Sequence, residues 1–286
     1  MLPHLRPMDP GEILDGAFQL YRRHFRAFLA AGLVPLAPLL AFWAWVAWSV
    51  WSGAPLAGEH AGELTALLLF GAWLPGVLTQ GTVIRMADDA QMGRPVRARA
   101  AFGEALRRLP VLLWASGLTT VMLTLPFLVG AALATRLAAE VATGLAGAAL
   151  TLGCYAVLAA CWAALAAGWT GTLPAVMLER TSGSAGRARS WALARGGPRS
   201  VLAVWAVGLV LLWMPRVSAE ALLAFFTEST DAGLAFAVSA LLSQAAAAFS
   251  VPLVAAARTL LFNDLRVRTE ALDVRLLTER LAPAAA

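Results

Sequence analysis

Lysine is absent from this 286-residue chain, so all 22 basic residues are arginine. Charge of either sign is scarce, at 14% of residues, where soluble domains carry about 25%. Cysteine occurs twice, which excludes a disulfide-stapled secreted scaffold. The three histidines, His4, His24 and His60, are isolated and offer no cluster for a metal or a proton relay. Apolar residues, by contrast, make up 60% of the chain, and the mean hydropathy is +0.72. A water-soluble core cannot absorb that fraction, so the composition reads as an all-α integral membrane protein and excludes a disordered chain. The formal charge of +5 does not point to nucleic acid, because the arginines are dispersed between apolar runs rather than gathered in a patch.

Six stretches hold no charged residue: 27–58, 64–84, 109–135, 141–178, 200–215 and 232–257. About 20 apolar residues, rising about 1.5 Å each, cross a hydrocarbon core of about 30 Å. The fifth stretch is short, and Arg216 can lengthen it by snorkelling to the headgroups. The fourth is long enough for one tilted helix, a bent helix or two spans, and the arginines decide how often it crosses. With six crossings, every arginine except Arg136 and Arg216 falls on one side, which the positive-inside rule makes cytoplasmic.

The sequence therefore predicts a six-helix transmembrane bundle in the cytoplasmic membrane, with both termini cytoplasmic. Residues 1–26 form an amphipathic cytoplasmic helix, the spans lie near 28–51, 64–84, 111–135, 144–178, 200–216 and 234–263, and 264–286 is a cytoplasmic tail. The outer loops carry Glu59, Glu63, Glu220, Glu228 and Asp231. Trp43, Trp45, Trp48 and Trp51 gather at the outer end of the first span, where indoles suit the headgroup level. The first apolar run is longer than a signal-peptide core and is expected to remain as an anchor.

The first helix is well specified. Asp9 can cap it, Pro10 suits its first turn and Glu12 completes a capping box. Ile13, Ala17, Tyr21, Phe25 and Phe28 then recur at helical spacing. Such a helix either lies on anionic headgroups through Arg22, Arg23 and Arg26 or packs over the end of the bundle. Similar basic segments lead into the third span, around Ala101-Phe102, and the fifth, around Ser190-Trp191 and Arg195. The even-numbered spans share a proline, at Pro75, Pro174 and Pro252, each expected to kink its helix. Together these features suggest three parallel repeats, each an interfacial helix followed by two spans.

Residues able to carry chemistry are few, and the sequence assigns no catalytic residue, no metal ligand and no cofactor. Cys154 and Cys161 share a helical face without His or carboxylate partners and read as packing residues. Ala160, Ala164 and Gly168 recur every four residues, which places the fourth span at the centre of the bundle. Gln80 and Gln244 are the polar side chains deep in spans and read as bonding a neighbouring helix. Glu179 and Arg258 follow prolines toward the cytoplasmic ends of the fourth and sixth spans, and their similar depth predicts an ion pair. No phosphate loop, dinucleotide fingerprint or metalloprotease helix occurs.

The ends of the chain carry a resemblance. Arg6-Pro7, followed by Gly11-Glu12-Ile13-Leu14-Asp15-Gly16-Ala17-Phe18-Gln19-Leu20-Tyr21-Arg22-Arg23-His24-Phe25, is similar to the start of actinobacterial proteins of the glycerophosphoryl diester phosphodiesterase membrane domain family. Ala257-Arg258-Thr259-Leu260-Leu261-Phe262-Asn263-Asp264-Leu265-Arg266-Val267-Arg268 resembles their closing motif, with Phe262-Asn263 standing where an aromatic pair is expected. Leu178-Glu179 through Ser190-Trp191 and Arg195 is similar to their middle motif. The resemblance implies a membrane domain standing without the separate catalytic barrel. The charges themselves make Arg22, Arg23, Arg26, Arg195, Glu179, Arg258 and Asp264 the candidate headgroup or partner contacts, with anionic lipid and a membrane protein as the expected partners. The expected function is a non-enzymatic scaffold or accessory subunit. A transporter or lipid-handling protein is the alternative, and a membrane-embedded lipid phosphodiesterase follows.

Overall fold

Prolines mark the starts of several helices. The computed structural model describes residues 6–53, 71–141, 144–226 and 232–272, with 62, 63, 66, 67, 274 and 278 besides. Among the described residues the helices are α1 (Pro10–Arg23), α2 (Phe25–Trp51), α3 (Trp73–Gln91), α4 (Ala98–Arg107), α5 (Leu109–Val141), α6 (Gly144–Gly168), α7 (Thr172–Leu178), α8 (Gly183–Ala194), α9 (Pro198–Phe226) and α10 (Ala232–Glu270). Pro10, Pro110 and Pro198 occupy the first or second position of α1, α5 and α9, where a missing N–H costs no helical bond. In α1, the Asp9 backbone N–H donates to Glu12 Oε2 at 3.0 Å, the backbone half of the expected capping box.

The described residues are helical without strands, and five stretches are long and apolar enough to cross a membrane: Phe25–Trp51, Leu109–Leu137, Gly144–Leu178, Pro198–Ala221 and Leu234–Glu270. The protein is thus a polytopic membrane protein by length and composition. The second expected span, 64–84, lies partly outside the described residues, and its described part continues as α3 beyond the charge-free stretch to Gln91. Glu59, His60, Glu228, Asp231, the Arg216 side chain and most of 273–286 also lie outside them. The sixth helix does not stop at 263 but runs to Glu270, so the expected tail begins later than position 264.

Of the three expected kinks, Pro75 and Pro174 sit at the third position of α3 and α7, each just after a turn, and only Pro252 lies inside a continuous helix. A proline third in a helix has no intrahelical acceptor to lose, so the interruption precedes it. Prolines also occur inside α2, at Pro35 and Pro38, and inside α5, at Pro126. Interior proline is therefore not confined to the even-numbered spans.

The central element is α10, which packs against α1, α2, α3, α7, α8 and α9. Leu260, Leu261, Phe262 and Leu265 are its buried face. The closest approach is to α2 at Gly32, where a Cβ would lie 2.2 Å from the Ala248 carbonyl oxygen and 3.1 Å from Pro252 Cγ. Only glycine admits such a crossing. The expectation that the Ala160, Ala164, Gly168 stripe marks the central helix is overturned. α5 and α6 form a peripheral hairpin, with Ala160 and Ala164 exposed and Leu152 and Val157 directed outward. Small side chains permit close approach only where another helix stands opposite, and only Gly168 meets one.

The aromatic belt divides. Trp45, Trp48 and Trp51 are exposed, whereas Trp43 is fully buried and stacks edge-on with Phe236 at 5.8 Å. α1 takes the packed alternative: Ile13 and Ala17 are buried, and Gly16 seats against Leu260 of α10.

Candidate functional site

The run Gly144–Leu178 is interrupted by a turn at 169–171, between α6 and α7. The Pro174 nitrogen has no proton for the carbonyl of residue 170, and its ring crowds that turn. Ser190 of α8 satisfies the groups the break frees. Its hydroxyl donates to the Gly168 carbonyl at 2.8 Å and accepts from the Gly171 N–H at 3.0 Å. Trp191 lies over Gly168, where a Cβ would come within 2.3 Å of the indole. The Ser190-Trp191 pair is thus a clamp on the broken helix.

The polar end of α10 ties the bundle together at its arginine-rich face. Asp264, 1% exposed, accepts from the Met8 N–H at 2.7 Å and from Arg268 Nε at 2.8 Å, and Arg268 also donates to the Met8 carbonyl at 2.6 Å. Asn263 is fully buried, and its Nδ2 donates to Asp88 Oδ1 at 3.2 Å and Gln91 Oε1 at 2.8 Å on α3. Arg266 reaches Glu179, after α7, at 3.2 Å and Glu270 at 3.6 Å. Arg189 of α8 binds Glu179 through two nitrogens at 2.8 and 2.9 Å and also pairs with Glu270. An isolated exposed pair contributes little, but these four side chains are each less than a third exposed and bond mutually. Hydrogen bonding to Glu179 and then Glu270 raises the Arg189 pKa and holds the guanidinium charged.

Above this network, α3, α5, the α6–α7 break, α9 and α10 line a half-open cavity of about 250 Å³. Its wall includes Gln80, Ser116, Thr119, Thr120, Thr170, Thr172, Arg258 and three indoles, Trp162, Trp169 and Trp205. Arg258 donates to Gln80 Oε1 at 3.0 Å, and no carboxylate lines the space. A guanidinium lacking a carboxylate partner inside a membrane span carries an insertion cost of about 2.5–3.5 kcal/mol at midplane, and less toward the interface. The expected pair between Glu179 and Arg258 is therefore not formed: Glu179 is taken by Arg189 and Arg266, and Arg258 by Gln80. Equal depth along two helices does not fix their azimuth, and α8 brings a nearer arginine. Among the described residues no group of three His, Cys, Asp or Glu side chains could hold a metal ion.

No family model, curated protein or solved structure matches the chain. The site is therefore read from its own residues. Of those singled out from sequence, Glu179 and Asp264 serve the polar end of the bundle, and Arg258 lines the cavity above it. Arg22, Arg23, Arg26 and Arg195 are exposed and have no ion-pair partner among the described residues. Sequence reasoning missed Asp88, Arg189, Arg266 and Glu270. The four-residue spacings Asp264/Arg268 and Arg266/Glu270 were the available signal, since such pairs meet on one helix face.

Asp88 gives a pH-dependent prediction. Burial raises its carboxyl pKa above the ordinary range, against the lowering effects of the Asn263 amide, Arg94 and Arg85. A raised folded-state pKa stabilises the fold below the unfolded value, and that stability is lost as pH rises through the folded one. Asp88→Asn does not titrate, so the variant should gain stability relative to wild type as pH rises above about 4. Unfolding midpoints in detergent from about pH 3.5 to about pH 7.5, upward from just below the ordinary carboxylate value, check this, and a pH-independent difference contradicts it.

Proposed function

We propose that this chain is a six-span protein of the cytoplasmic membrane, with both termini cytoplasmic, that serves as a non-enzymatic scaffold or accessory subunit. The observation that carries the reading is a division among the charges at the polar end. Asp88, Asp89, Glu104, Glu179, Asp264 and Glu270 are committed to arginines within the fold. Arg22, Arg23, Arg26, Arg97, Arg99, Arg107, Arg195 and Arg199 are exposed beside them and are paired with none of these carboxylates. The result is a fixed platform with a cationic outer surface, suited to anionic headgroups and to an acidic partner.

The order of elements supports three parallel units, α1–α3, α4–α7 and α8–α10, each opening on a short polar helix followed by a long apolar one. The likeness of the chain's ends to the glycerophosphoryl diester phosphodiesterase membrane domain family fits a membrane domain.

Cysteines introduced at Arg97 and Arg195, in a background with Cys154 and Cys161 replaced by alanine, should resist an impermeant thiol reagent in intact cells and react in inverted vesicles. Labelling from outside overturns the orientation. Co-purification from native membranes should retain a partner that Arg195→Glu/Arg199→Glu releases without lowering the unfolding midpoint. Turnover of a glycerophosphodiester by the purified chain, abolished by one substitution in a span, overturns the scaffold reading.

A further inference from the structure

The cavity beside Arg258 is built like a binding site, and the scaffold reading does not use it. Arg258 has five N–H donors, of which the fold occupies one, on Gln80. The Gln80 carbonyl is turned to the guanidinium, which leaves its amide N–H groups for something else. Thr172 lines the same space, is 3% exposed, and its hydroxyl has no hydrogen-bond partner. Ser116 Oγ accepts from Trp73 Nε1 at 3.1 Å, so its own proton remains to donate. One buried hydroxyl without a partner, Thr172, and three groups with donor capacity to spare, Arg258, Gln80 and Ser116, thus line one cavity that has no carboxylate among its lining residues. Buried donors are ordinarily paired, and here the complement they lack is an acceptor bearing negative charge.

Position narrows its chemistry. Arg258 lies six residues before Asp264 on α10, so it sits about 9 Å inside the polar end. This depth is reached from the headgroup layer. A volume of about 250 Å³ exceeds a monatomic anion and accommodates a phosphodiester with a small substituent. The indoles of Trp162 and Trp205, edge to face at 5.8 Å, give an apolar wall between α6 and α9 along which a glycerol backbone and acyl chains can leave. Arg187 stacks over the Trp169 ring at 5.3 Å, adding positive charge near the cavity.

We propose that this cavity binds the phosphate of an anionic phospholipid headgroup, held by the Arg258 fork and the Gln80 amide and completed by the hydroxyls of Ser116 and Thr172. The proposal is independent of whether the protein acts as a scaffold.

The test uses the full chain, delipidated in a neutral detergent, with unfolding midpoint and native mass spectrometry as readouts. Phosphatidylglycerol should raise the midpoint saturably and remain bound as one lipid, and phosphatidylcholine should do neither. Arg258→Gln should weaken the phosphatidylglycerol response about tenfold or more, as expected for loss of charged hydrogen bonds. Thr172→Val guards against a misfolded arginine variant. Its hydroxyl bonds no other residue, so a purely structural role predicts no loss of stability and no change in lipid response. The proposal predicts unchanged basal stability with a several-fold weaker response. Equal binding of phosphatidylcholine, or undiminished binding by Arg258→Gln, overturns the site. Full stabilisation by inorganic phosphate alone overturns the lipid as its source.

Discussion

Replacing Gly32 by alanine should destabilise the bundle by about 2–3 kcal/mol, because the added methyl overpacks a contact with no room to yield. The carbonyl oxygen of Ala248 would stand 2.2 Å from the new Cβ, and that oxygen belongs to the helical backbone of α10. No rotamer can relieve the overlap, so α2 and α10 must separate along their longest shared interface. Gly76→Ala is the contrasting change. Nothing lies within 4 Å of a Cβ there, inside α3, and alanine should stabilise that helix by about 0.5–1 kcal/mol. Unfolding in mixed micelles measures both, and equal tolerance of the two substitutions contradicts the crossing described above.

Asp264→Ala should cost about 3 kcal/mol, near the lower end of the range for breaking a buried pair, because the Arg268 side chain stays 30% exposed and keeps some water. The substitution leaves the half-buried Met8 N–H without its acceptor and releases the guanidinium that also binds the Met8 carbonyl. α1 should then lose its anchor at the N-terminal end. Trypsin, acting only at arginine in this lysine-free chain, should cleave after Arg22 or Arg23 faster than in wild type. An unchanged cleavage rate together with a lowered midpoint would place the role of Asp264 within α10 alone.

The membrane-crossing helices were legible because insertion depends on side-chain hydropathy summed along a run, a property of sequence alone. α2, α5, α9 and α10 therefore fall where the charge-free stretches predict. What hydropathy cannot see is compensation. α3 continues through Arg85, Asp88 and Asp89, since Arg85 pairs with Asp89 and Glu104, and Arg94 with both aspartates. The same blindness set the tail at 264, although Asp264 and Arg268 neutralise one another within the helix. Partner choice was hidden for a different reason. Glu179 and Arg258 share a depth, but a pair also needs a shared azimuth, which is a property of packing. Asn263, read as a departure from an aromatic pair, is instead the residue that carries two hydrogen bonds from α10 to α3.

The placement of the binding motif on α10 also governs how the molecule is made. Met8 and Asp264 are joined across 256 residues, so during synthesis at about 5–20 residues per second the acceptor emerges about 13–50 s after the donor. Glu179 and Asp88 have Arg189 and Arg94 within 10 and 6 residues, but their links to Arg266 and Asn263 also wait for α10. Throughout that interval the Met8 backbone groups and the acceptor sites that α10 fills are left to water, lipid or a chaperone. Membrane quality control thus meets an open assembly until α10 inserts. Substitutions near residues 258–268 should act first on the amount of protein that survives biogenesis, before any effect on what the surviving molecules do.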